Sequence, residues 1–180
     1  MKGLIFTEFM EMVETTWSFD MADAIIARSN VSSGGAYTSI GTYPHSEMSA
    51  LIAALATETQ TPAPDLVRAF GKHLFGRFVI AYPRFFTGIN GSLEFLGGIE
   101  NIIHAEVRKL YPDADLPTFE TESAPGSLTL TYFSDHPFCE LARGLIEGCL
   151  RHFDDGVELQ LAPTPDLPGA KARFILTRTD

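Results

Sequence analysis

At Tyr111 the spacing of apolar residues along this chain switches from one period to another, and that switch fixes what it can fold into. Before Tyr111, apolar residues recur every three or four positions, as on helices with one buried face. After it they alternate, as on strands with one buried face. The junction YPDADLP carries two prolines and two aspartates and stops the preceding helix. Beyond it, Leu128, Leu130 and Tyr132 share one side, as do Val157, Leu159 and Leu161, and again Phe174 and Leu176. A helix from about Phe138 to Phe153 lies between the strands, with Leu141, Leu145, Ile146, Cys149 and Phe153 as its apolar stripe. APTPDLPGA, 162–170, reads as a long loop joining the last two strands. The expected fold is α+β in one domain over 1–180. A helical N-terminal subdomain, 1–111, packs on a C-terminal antiparallel sheet with helices, 112–180.

The helical part divides further. Leu4, Ile5, Phe9, Met12 and Val13 form one face of a first helix that ends near Ser18. A second runs from about Phe19 to Ala27, with Ser18 or Asp20 as its N-cap. NVSSGG, 30–35, is a loop by composition, and TSIGTYPHSEM reads as irregular. The next helix, 46–60, is stopped by TPAP. Another opens at Asp65 and ends before Pro83, with Leu66, Phe70, Leu74, Phe78 and Tyr82 recurring every four residues.

The longest helix of this part spans Leu93 to Tyr111. Leu96, Ile99, Ile103, Val107 and Leu110 form its apolar stripe, with Glu106 and Lys109 toward water. His104 stands on the flank of that stripe. At about 100° per residue, Leu93, Gly97, Glu100 and Tyr111 share its side, and Gly97 leaves room beside it. A lone histidine on a half-buried helix is most often a packed side chain. An imidazole beside an apolar groove is also what an axial ligand of a flat cofactor requires.

Composition narrows the function. The 14 phenylalanines supply rigid apolar walls, and a formal charge of -10 repels nucleic acid and anionic membranes. Cys139 and Cys149 lie about 15 Å apart along one predicted helix and cannot bridge, which fits a reducing compartment. Glu8 and Glu11 break the apolar N-terminal run, so it does not read as a secretory signal. No stretch is long and apolar enough to span a membrane, and the expected location is cytoplasmic. No glycine-rich phosphate loop, GxSxG elbow or i,i+4 histidine pair occurs. These absences favour a binding module over an enzyme.

Several segments, in this order, resemble one family. They are MKGLIF at the start, His104 within NIIHAEVRKLYPDADLP, Tyr132 and Ser134 in YFSDH, and GLIEGCLRHF soon after. Together they are similar to the heme-nitric oxide/oxygen binding (H-NOX) domain, the bacterial relative of the heme domain of soluble guanylate cyclase. The resemblance implies a heme b held between the two halves. His104 would be the proximal iron ligand, and Pro117 would press on the macrocycle and distort it. Tyr132 and Ser134 would bond the propionates. The family pattern Tyr-x-Ser-x-Arg here ends in His136, which replaces a charged bidentate fork by a ring with one or two donors. That change implies weaker, pH-dependent heme retention, or loss of heme altogether.

By the same resemblance, Ile5, Phe9, Leu74, Phe78, Leu141 and Leu145 line or flank the distal side. Leu141 stands where oxygen-binding members place a tyrosine. A distal wall without donors favours nitric oxide, with carbon monoxide tolerated, over stable oxygen binding, by about 1–3 kcal/mol for one buried hydrogen bond. Gas binding would weaken the bond to His104 and shift one half against the other. The output would pass to a separate histidine kinase or cyclic-di-GMP enzyme. Two other readings are a heme-free interaction or apolar-ligand module that kept the fold, and a heme enzyme. The second lacks an acid–base pair on the distal wall, since His73 lies about 100° around the helix from Leu74.

Overall fold

The computed structural model describes residues 1–164 and 168–179. Part of the 162–170 loop therefore lies outside the described residues. Four helices come first: α1 (Gly3–Thr16), α2 (Phe19–Ser29), α3 (His45–Thr59) and α4 (Ala63–Ala81). Ser18 caps α2 by accepting a hydrogen bond from the Met21 N–H at 3.1 Å, as expected of a residue with a short acceptor side chain. A 3-10 turn, Pro83–Phe86, occupies the expected connection after α4.

The helix expected over 93–111 is not one regular helix. It divides into α5 (Ser92–Gly97), a π-helical turn (Ile99–His104) and α6 (Ala105–Leu110). Leu96 is buried, but Leu110, expected on the apolar stripe, is 59% exposed. Leu96, Ile99, Ile103, Val107 and Leu110 nevertheless all line one cavity, so the expected stripe keeps one face through the π-turn. Gly97 faces the sheet, where an added Cβ would touch only the Leu128 side chain at 3.9 Å. It does not line the cavity described below.

The rest is an antiparallel sheet with α7 (Cys139–Phe153) inserted between its strands. The strands are β1 (Thr118–Ala124), β2 (Ser127–Phe133), β3 (Val157–Ala162) and β4 (Ala170–Arg178), in the order β1-β2-β4-β3. In β2 and β4 the register pairs Leu128 with Leu176, Leu130 with Phe174 and Tyr132 with Ala172. All six are buried, so the alternation seen in sequence is one continuous apolar face. The sequence pattern does not signal β1. Its residues TFETESA are nearly all exposed, and only Phe119, half-buried and opposite Tyr132, signals a strand face.

Buried apolar residues form two clusters. One joins α1 to α4, centred on Phe6, Phe9, Leu51, Leu55, Phe70 and Leu74. The other joins α5, the sheet and α7, through Phe95, Leu96, Leu130, Ile146 and Phe174. Helices α4 and α7 connect them at backbone contact distance. A Cβ on Gly144 would lie 2.2 Å from the Arg68 carbonyl oxygen, and one on Gly71 would lie 2.5 Å from that of Leu141. Gly144→Ala is therefore expected to force the helices apart at a cost of about 1–3 kcal/mol. Thermal unfolding would register this as a drop of about 2–4 °C per kcal/mol.

The loop between α2 and α3 is organised by a buried carboxylate. Glu47 accepts from Ser32 Oγ at 2.5 Å, Ser33 Oγ at 2.6 Å, the Ser33 N–H at 3.2 Å and the Tyr37 hydroxyl at 2.9 Å. Burial alone would raise its pKa, but these donors outweigh burial and hold it below the usual carboxylate value. Burial and the bond to Glu47 push the Tyr37 phenol up to about 12. Because the folded pKa of Glu47 is depressed, its stabilisation is present above the ordinary carboxylate pKa. It is lost as pH falls through the folded value. In melting curves across the acid range, Glu47→Gln should flatten this limb of the stability profile.

Candidate functional site

Between the two clusters lies a partly open cavity of about 300 Å³, at the lower end of the range for small-molecule pockets, about 300–1,000 Å³. Ile5 comes from α1, Leu74 and Phe78 from α4, and Leu141 and Leu145 from α7. None of these five side chains can donate a hydrogen bond. Ile99, Ile103, His104 and Val107 line it from the π-turn and α6, and Pro117 from the approach to β1. Phe9 is the one distal candidate that does not line the cavity. It is fully buried in the first cluster, edge-on to Phe70 with ring centroids 5.2 Å apart. His73 also lies off the wall, with Nε2 at 4.0 Å from Glu8.

His104 is held from behind. Its Nδ1 lies 2.8 Å from Glu100 Oε1. An ionised carboxylate only accepts, so Nδ1 carries the proton and donates. Nε2 is then the ring nitrogen with a free lone pair, and it has no hydrogen-bond partner among the described residues. The same Oε1 accepts from the Phe119 N–H of β1 at 2.9 Å, and Arg108 Nη2 lies 3.4 Å from Oε2. Burial depresses the His104 pKa, and the attraction of Glu100 only partly opposes this. The ring is therefore neutral, the form that ligates a metal.

The polar edge is formed by Tyr132, Ser134 and His136, which all line the cavity. Tyr132 belongs to β2 and Ser134 lies just past its end, and both side chains reach the same cavity. Burial pushes the Tyr132 phenol up, keeping it a neutral donor. Ser134 Oγ accepts from the His136 N–H at 3.0 Å. The His136 ring meets the carboxylate of Asp115, not that of its sequence neighbour Asp135, with Nε2 2.5 Å from Oδ2. His45, the first residue of α3, packs against it with ring centroids 4.1 Å apart and planes tilted by 37°.

In the sequence Glu100 shares the side of His104 without an assigned role, and Asp115 and His45 carry none either. Glu100 had a signal, since its i,i+4 spacing from His104 places the two side chains together on a helix. Asp115 and His45 reach His136 only through tertiary folding and carry no local signal.

The residues present fit a heme. They combine an apolar slot, a neutral histidine with a free lone pair on its wall, and hydroxyl donors at one edge for carboxylates. Among the described residues, no cluster of three or more His, Cys, Asp or Glu could hold a bare metal ion.

The fold sets this cavity between helices and an antiparallel sheet. Residues 2–161 match the Haem-NO-binding family, and the chain belongs to that family of heme-binding gas-sensor domains. It is similar over its whole length to the Fe(II) unliganded H-NOX protein from K. algicida. The two are 38% identical, with a TM-score of 0.90 and 97% of that chain covered. The IWP-051-bound H-NOX from Shewanella woodyi in the Fe(II)CO state is 34% identical (TM-score 0.84), covering 99% of this chain and 95% of that one. The S. oneidensis H-NOX in the Fe(II)NO state shares the fold at 24% identity (TM-score 0.89), with both chains fully covered. None of the curated proteins matches the chain. No helix among the described residues is long and apolar enough to cross a membrane.

Proposed function

We propose that this chain is a nitric oxide sensor that uses a ferrous heme b and signals to a separate partner protein in the cytoplasm. The observation that carries the reading is the His104 ring, neutral, lining an apolar cavity and bonded only through Nδ1. When bound, the heme supplies an iron coordination position for a diatomic gas. His104 Nε2 would hold the iron, and Tyr132 and Ser134 would hold the propionates, with His136 beside them bonded to Asp115. Pro117 would press on the ring from the wall it shares with the cavity.

Ile5, Leu74, Phe78, Leu141 and Leu145 give the gas an apolar environment without donors. Dioxygen, which gains from a donor, is disfavoured there by about 1–3 kcal/mol relative to a site with one buried hydrogen bond. Nitric oxide needs less such help, and carbon monoxide is also accommodated. The S. woodyi H-NOX, in the Fe(II)CO ligation state, supports gas binding in this chain by similarity.

Release of His104 would free the π-turn that bears it. That turn touches the sheet through Glu100 and Phe119, so its movement reaches β1 directly. A partner that binds the two arrangements with different affinity would read the change. A histidine kinase or a cyclic-di-GMP enzyme is the partner class we propose.

The test is the absorbance spectrum of the purified ferrous protein, reconstituted with hemin, before and after nitric oxide. The expected result is one heme per chain and a Soret shift that reports loss of the histidine ligand. His104→Gly should remove the iron–histidine vibration from the resonance Raman spectrum. A protein that stays colourless with hemin, or a His104→Gly variant with that vibration intact, would overturn the reading.

The polar edge gives a second expectation. His136 spends its Nε2–H on Asp115, whereas an arginine could meet both Asp115 and a propionate. His136→Arg should slow heme transfer to a high-affinity acceptor protein about tenfold, the equivalent of about 1.4 kcal/mol.

A further inference from the structure

We propose that Glu100 is a positioning residue that sets the ligand strength of His104 and thereby how readily the iron–histidine bond is given up. The inference rests on the heme-sensor reading above and extends it to a residue outside the cavity wall. Glu100 does not line the cavity but stands behind the ring.

An i,i+4 Glu–His pair on a helix could be an ordinary surface contact worth a few tenths of a kcal/mol. Three observations separate this pair from that case. Both side chains are largely buried, at 19% exposure for Glu100 and 13% for His104. The oxygen that takes the His104 proton also takes the Phe119 N–H, so a strand from another part of the chain fixes the carboxylate. The pair also lies within the π-turn Ile99–His104, a local departure from α-helical geometry of the kind that accompanies functional sites.

The chemistry follows from the charge on the acceptor. A histidine that donates Nδ1–H to a carboxylate has its tautomer and ring orientation fixed, and Nε2 becomes more basic. A more basic Nε2 donates more strongly to iron, which strengthens the bond and favours the ferric state. Arg108, 3.4 Å from the other carboxylate oxygen, offsets part of that charge and keeps the effect intermediate. In a sensor whose signal requires His104 to let go, Glu100 therefore adjusts the threshold. After release, the Glu100 bond keeps the ring oriented for recapture.

Glu100→Gln is the informative change. The amide oxygen can still accept from His104 and Phe119, so the fold is kept while the charge is removed. Resonance Raman of the ferrous protein should show the iron–histidine stretch at lower frequency in the variant. The reduction potential should rise, and nitric oxide should break the histidine bond about tenfold faster. Glu100→Asp keeps a carboxylate and should return the frequency and potential toward wild type. It also serves as the test variant if Gln unfolds the protein, since its shorter reach should lower the frequency part of the way.

An unchanged frequency and potential in a folded, heme-loaded Glu100→Gln protein would overturn the role of Glu100 and leave the sensor reading intact. A wild-type protein that takes no heme, or holds it without an iron–histidine vibration, would overturn both.

Discussion

One carboxylate oxygen ties the candidate site to the sheet. Glu100 Oε1 accepts from His104 Nδ1 and from the Phe119 N–H. Through it a turn of the helical half and an exposed edge strand become one mechanical unit. Without the Phe119 bond, β1 would be held there mainly by its pairing to β2, since most of its side chains face water. Without the His104 bond, the ring would be free to change tautomer and orientation. The free Nε2 depends on this shared acceptor, while burial keeps the ring neutral against the pull of the carboxylate.

The cavity exists because two separate clusters approach each other without merging. The helical cluster around Phe6 and Phe70 and the sheet cluster around Leu130 and Phe174 are each well filled. They meet along α4 and α7, where Gly71, Gly144 and Gly148 let the backbones touch. Leu74 and Phe78 on α4, with Leu141 and Leu145 on α7, then diverge into the slot. A site for a flat apolar ligand follows from this contact.

Much of this was legible in the sequence. The change of period at Tyr111, the stops at TPAP and YPDADLP, and the alternation of Leu128, Leu130 and Tyr132 all correspond to structure, because each depends on local spacing. The resemblance placed His104, Ser134 and Pro117 on one cavity, and the structure brings them there. What was not legible has physical reasons. β1 presents charged and small polar residues on both faces, so its strand character comes from pairing with β2. Phe9 has the spacing of a wall residue but turns inward to Phe70. The contacts of His136 with Asp115 and His45 join distant parts of the chain, and no window of sequence contains them.

The π-turn also limits how the segment can vary. Its register decides that Ile99, Ile103 and His104 line the cavity together, with Glu100 behind the ring, while Ile102 is 46% exposed. Adding or deleting one residue between Gly98 and Ala105 would rotate everything beyond it by about 100°. His104 would then leave the cavity even with every side chain retained. Substitutions on the outer face can accumulate freely, but the length of this segment cannot change. Residue count, more than residue identity, is the most rigid specification at the centre of the protein.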